Sequence, residues 1–121
     1  MYKVYKNDVY PFCLVVGKMD DLDEINKEYE NLDRKDIEPR KNSEATTYPV
    51  FRKGTNHAAI CVLFNVVPDI KLTAHESLHV TYLALDILCH IPLNDTTDEC
   101  YAYLIGWIAE NIYGYKKYWE D

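Results

Sequence analysis

The stretch YPFCLVVG, residues 10–17, is nearly continuous in apolar residues and closes on a glycine. Such a short run reads as a buried strand, so the rest of the chain must supply layers to cover it. The segment DDLDEINKEYENL, residues 20–32, is charged but carries Leu22, Ile25, Tyr29 and Leu32 at helical spacing. It predicts an amphipathic helix with one apolar stripe and with acidic residues in its first turn, where the helix dipole favours them. Residues 33–46 are polar, contain Pro39 and read as a loop. TYPVFR (47–52) and AAICVLFNV (58–66) read as two strands. KGTN (53–56) between them suits a hairpin through Gly54.

Asp69 is a plausible helix cap after NVVPD. From Ile70 to Cys89 the apolar period is helical, and Pro92 stops it soon after. A further helix is predicted from about Asp98 to Tyr113, ending at Gly114, with a capping box between Thr96 and Glu99. The tail YKKYWED mixes aromatic and charged residues. The order strand, helix, strand, strand, helix, helix predicts one α+β domain over residues 1–121, a small sheet with helices on one side.

Charge and composition narrow the function. Acidic residues number 20 against 13 basic, for a net charge of −7. That argues against a nucleic-acid backbone or an anionic lipid surface as the main partner. No apolar run approaches the roughly 20 residues of a bilayer span. The start MYKVYKNDVYPF is broken by Asp8 and Pro11 and lacks the apolar block of a secretory signal, so a cytoplasmic protein is expected. Cys13, Cys61, Cys89 and Cys100 form no CxxC pair and read as reduced and buried.

The chemistry concentrates in AHESLHVTY, residues 74–82. On a helix, His75 and His79 share one face with Cβ atoms about 5–6 Å apart, so both imidazoles can point at one ion. Zinc suits imidazole and carboxylate ligands, and a catalytic site keeps one position for water. Glu76 lies beside His75, too far round the helix to share the ion, but within reach of that water as general base. HESLH thus fits H-E-x-x-H. A third protein ligand is needed. Glu99 follows His79 by 20 residues, near the start of the next helix, and Asp98 is its adjacent alternative. Asp86 is two turns beyond His79, about 10 Å along the axis, and cannot join the same ion on a regular helix. His90 reads as a helix-end cap and His57 as a turn residue.

These residues resemble the zincin superfamily of metallopeptidases, and within it the glutamate-ligand branch, the gluzincins. The pairing of AHESLHVTYLALD with DECYAYLIGWIAE is also similar to small phage and Bacteroidales proteins with a minimal zincin-like fold. The resemblance covers about residues 69–113. It implies a minimal zincin-like fold and a zinc metallopeptidase acting on a peptide or protein, with His75, His79 and Glu99 as ligands and Glu76 as base. No glycine and third histidine follow HESLH in the metzincin manner, and a chain this short is expected to lack the second domain that forms the far cleft wall in large members. Tyr101, Tyr103 and Tyr82 are candidate oxyanion or substrate contacts. In zincins a sheet edge holds the substrate as an added strand, and Ala58 to Asn65 is the expected edge. The alternative is a catalytically inactive, phage-related zincin-like protein that binds or regulates a partner, for which the 11 tyrosines and 2 tryptophans suit a contact surface. A plain α+β domain with core histidines is the third possibility.

Overall fold

A computed structural model describes residues 1–119. Its sheet has five strands: β1 (Lys3–Lys6), β2 (Cys13–Lys18), β3 (Tyr29–Asn31), β4 (Ala45–Arg52) and β5 (Ala58–Phe64), in the spatial order β1-β2-β5-β4-β3. β2 runs parallel to β5, and every other neighbouring pair is antiparallel. The parallel pair explains the continuous apolar runs. Leu14 and Val16 face one side of the sheet and Val15 the other, and all three are fully buried. A parallel pair at the sheet centre is covered on both faces, so its strands need not alternate.

Three α-helices cover the two faces: α1 (Leu22–Glu28), α2 (Ile70–Tyr82) and α3 (Asp98–Tyr115). α2 and α3 pack with Leu14, Val16, Ile60, Val62 and Phe64 on one face, where Val80, Leu104 and Ile108 close the layer. α1 lies on the other face, placing Leu22 and Ile25 against Val15, Cys61 and Leu63. Helices therefore flank both sides of the sheet, not one as the element order alone implied. A layer on each face is what lets the central strands bury completely, at about 1.5–3 kcal/mol for each large apolar side chain.

Three other expectations are corrected. The helix predicted to Leu32 stops at Glu28, and Tyr29–Asn31 pairs with Val50–Arg52 as β3. Asn31 then accepts from the backbone N–H of Asp33 (2.9 Å) and Lys35 (3.0 Å), a local turn that draws the chain away from the helix axis. Leu32 is left exposed. The predicted helix from Ile70 to Cys89 is α-helical only to Tyr82; Leu83–Leu88 continue as a wider π turn. His90 then takes a left-handed backbone (φ 57°), and the Ile91 N–H closes the end on the Leu85 carbonyl. Histidine tolerates that conformation better than most residues, and the C-cap itself is Cys89, whose N–H donates to the Ala84 carbonyl. Finally, α3 runs through Gly114 to Tyr115.

The substrate edge expected at Ala58–Asn65 is also corrected. β5 is the central strand, paired on both sides. The free edge on that half of the sheet belongs to β4. Only Val50–Arg52 of β4 pair with β3, so Ala45–Pro49 have a strand partner on the β5 side alone.

The four cysteines are unpaired; Cys61 is buried and the other three half-buried. No helix among the described residues is long and apolar enough to cross a membrane. In the tail, Lys116–Tyr118 form a 3-10 turn, Tyr118 and Trp119 pack on the core, and Glu120 and Asp121 lie outside the described residues.

β1 is held against β2 at a close approach. A Cβ on Gly17 would stand 2.9 Å from the Cβ of Tyr2. Gly17→Ala is therefore expected to push the start of the chain outward and to destabilise the protein by about 1–3 kcal/mol, read from a lower denaturant midpoint.

Candidate metal centre

α2 is built to show one face to the core and another to solvent. Asp69 caps it, accepting from the Leu72 N–H at 2.7 Å. Thr73, Ser77, Val80 and Thr81 form the buried stripe. Two of its hydroxyls are satisfied within the helix, Ser77 donating to the Thr73 carbonyl (2.6 Å) and Thr81 to the Ser77 carbonyl (2.7 Å). That lets a polar stripe lie against the sheet and α3 without stranding those two donors. His75, Leu78, His79 and Tyr82 fall on the exposed side.

Their imidazoles converge. His75 Nε2 and His79 Nε2 lie 3.2 Å apart, with ring centroids 4.8 Å apart and planes at 68°. Two nitrogens bound to one ion at 2.0–2.1 Å in tetrahedral geometry stand about 3.3–3.4 Å apart. The observed spacing fits that requirement closely. Glu76 Oε2 lies 3.7 Å from His75 Nε2, and a donor atom from each of the three residues falls within 4.8 Å of the others. This His-Glu-x-x-His cluster can hold a metal ion.

Glu76 differs from its neighbours in being buried, only 4% exposed. It points under the helix toward β4, where Thr47 donates to Oε1 at 2.8 Å. One carboxylate oxygen is thereby fixed and the other is left on the histidine side. Thr47, 29 positions earlier in the chain, carried no local signal of this role. Thr47→Val keeps the shape but deprives a buried carboxylate of its donor. The expected cost is about 1–3 kcal/mol in thermal or chemical denaturation.

The cluster opens into a cleft of about 1030 Å³ between α2 and β4. Ala45, Thr46 and Thr47 of the free edge form one wall, and Leu78, Tyr82, Leu83 and Leu93 an apolar one. The loop of residues 39–43 closes a third side. Asn65 pins that loop, its side-chain amide donating to the carbonyls of Arg40 (2.9 Å) and Ser43 (2.8 Å).

Glu99 and Asp98 are exposed in the first turn of α3, and neither is among the residues lining the cleft. The capping box expected between Thr96 and Glu99 does not form: Thr96 donates to Asn94 Oδ1, and the N-cap is Thr97. The Tyr101 hydroxyl donates to the Ile91 carbonyl at 2.7 Å. Burial first, then the nearby Asp86, pushes that phenol above its ordinary range. Tyr103 is exposed on α3 beside Tyr10, and only Tyr82 of the three tyrosines lines the cleft. His57 is exposed in the β4–β5 turn.

No protein-family model, curated protein or solved structure matches the chain.

Proposed function

We propose that the chain is a zinc-dependent metallopeptidase in which His75 and His79 hold the ion through Nε2 and Glu76 is the general base. One observation carries this reading: two imidazole nitrogens at a separation suited to shared ligation, with a buried, oriented carboxylate oxygen 3.7 Å from one of them. Imidazole donors with a carboxylate beside them suit zinc. A bound zinc ion supplies an acidified water and polarises a carbonyl.

The chain's own residues supply the rest. Thr47 fixes Glu76 through Oε1, so Oε2 is the oxygen that accepts a proton from water and returns it to the leaving amine. An extended peptide would lie along the free edge of Ala45–Pro49, adding a strand through main-chain hydrogen bonds. Leu78, Tyr82 and Leu93 would meet its apolar side chains, with Tyr82 the tyrosine best sited for a substrate contact.

Glu99 is proposed as the third protein ligand. Its carboxylate makes no hydrogen bond or ion pair among the described residues. Glu99 lies outside the cleft lining and the His75–Glu76–His79 cluster, so ligation through it would require a rearrangement on metal binding. Glu99→Gln is then expected to weaken zinc binding more than the 10- to 100-fold typical of an outer-shell change, measured by competition with a chromophoric chelator. An unchanged affinity would give the third position to water or another group. The activity itself is tested by incubating zinc-loaded protein with a random decapeptide library. Mass spectrometry should show cleavage that a chelator stops. An uncut library would contradict the peptidase reading.

A further inference from the structure

The chain carries a net charge of −7, yet the charged side chains lining the cleft are Arg40, Lys41 and Glu76. Glu76 is the carboxylate already bound by Thr47 beside the histidines. Arg40 and Lys41 are exposed, and neither makes an ion pair among the described residues. They do not sit on a free loop tip. Asn65 anchors the Arg40 and Ser43 carbonyls, the Asn65 N–H donates to the Glu44 carbonyl at 2.8 Å, and Tyr48 donates to the Glu38 carbonyl at 2.9 Å. Four hydrogen bonds thus tie the loop to β4 and to the end of β5. Two cations without an ion pair among the described residues are held over the same cleft as the histidine pair, on a protein whose overall field repels anions.

We propose that Arg40 and Lys41 are specificity residues that recognise a carboxylate on the bound peptide. This deepens the peptidase reading and rests on it for the identity of the ligand as a peptide. The carboxylate has two sources, an acidic side chain or the free C-terminus. Guanidinium pairs with either in a two-pronged hydrogen-bonded geometry, and the lysine adds a point charge. The apolar wall of Leu78, Tyr82 and Leu93 faces the same space. The preferred peptide therefore combines an apolar side chain with a carboxylate.

The test separates binding from cleavage. Four labelled octapeptides of leucine and alanine are used, with glutamate or glutamine at one central position and with a free or an amidated C-terminus. Their binding to zinc-loaded Glu76→Gln protein is measured by fluorescence anisotropy at low salt. A carboxylate-bearing peptide is expected to bind about 5- to 10-fold more tightly than the amidated glutamine peptide, the scale of one partly exposed charge-assisted contact. Preference for the glutamate peptides assigns the side chain; preference for the free C-terminus assigns the terminal carboxylate. The advantage is expected to vanish in an Arg40→Gln/Lys41→Gln background and to shrink as salt rises. Equal binding of all four peptides, no binding of any, or a preference that survives the double substitution overturns the proposal. Should wild-type protein bind these peptides with the expected preference yet cut none, the catalytic reading fails while the carboxylate site stands.

Discussion

Glu76→Gln is expected to keep the fold and the metal affinity while lowering kcat by about 10²–10⁴, the range for loss of a general base. The substitution is nearly isosteric. The glutamine carbonyl oxygen can still accept the Thr47 hydroxyl, so the contact with β4 survives. What is lost is the second oxygen, 3.7 Å from His75 Nε2, which an amide nitrogen cannot replace as a proton acceptor. A fall in kcat with little change in KM, from steady-state cleavage of a selected peptide, matches a group acting in the transition state rather than in substrate binding. If Glu76→Gln cuts as fast as the wild type, another group is the base, and the burial of Glu76 serves only the helix–sheet contact.

His79→Ala should have the opposite profile, with little effect on the metal-free protein and a large one on the metal-bound form. His79 is exposed, so its removal opens no core cavity, and the change in metal-free stability should stay within about 0.5 kcal/mol. The wild type at zinc 100-fold above its Kd should gain about 2.7 kcal/mol. That is about 10 °C in Tm for a chain of this size. His79→Ala should lose most of this gain at the same zinc concentration, because one imidazole cannot replace the pair. Differential scanning calorimetry with and without zinc reads both numbers. The alternative for the 3.2 Å contact is a proton shared between the two rings. In that case zinc leaves the wild-type Tm unmoved, and His79→Ala changes nothing further.

The His-Glu-x-x-His cluster was legible because it is local. His75, Glu76 and His79 lie within five positions of one another, and the Asp69 cap and the period from Ile70 fix their helix. Their common direction follows from helix geometry alone. β2 and β5 were legible for a related reason, since continuous apolar runs have few solutions other than a covered strand. What the sequence concealed is non-local. β1 is a four-residue edge strand, KVYK, whose polar alternation resembles a loop and whose lysines suit an exposed edge. β3 is three residues long and exists because β4 offers Val50–Arg52 to pair with. Helical periodicity through Tyr29 was genuine, as that side chain is buried like Leu22 and Ile25, but the pairing with β4 overrode the last turn. The position of β5 at the sheet centre depends on the β2–β5 parallel pairing across the intervening residues 19–57, which local pattern does not encode. The same holds for Thr47 beneath Glu76 and for the Arg40–Ser43 loop beside the histidines. Each reaches the centre only after the sheet has assembled.

The most direct test of this account is the metal content of the purified protein. Wild type, His75→Ala and His79→Ala are each dialysed against zinc, freed of excess, and measured by native mass spectrometry alongside circular dichroism. One zinc ion per wild-type chain and none in either variant, with all three equally folded, is the expected result. A folded wild-type protein that retains no zinc would contradict it.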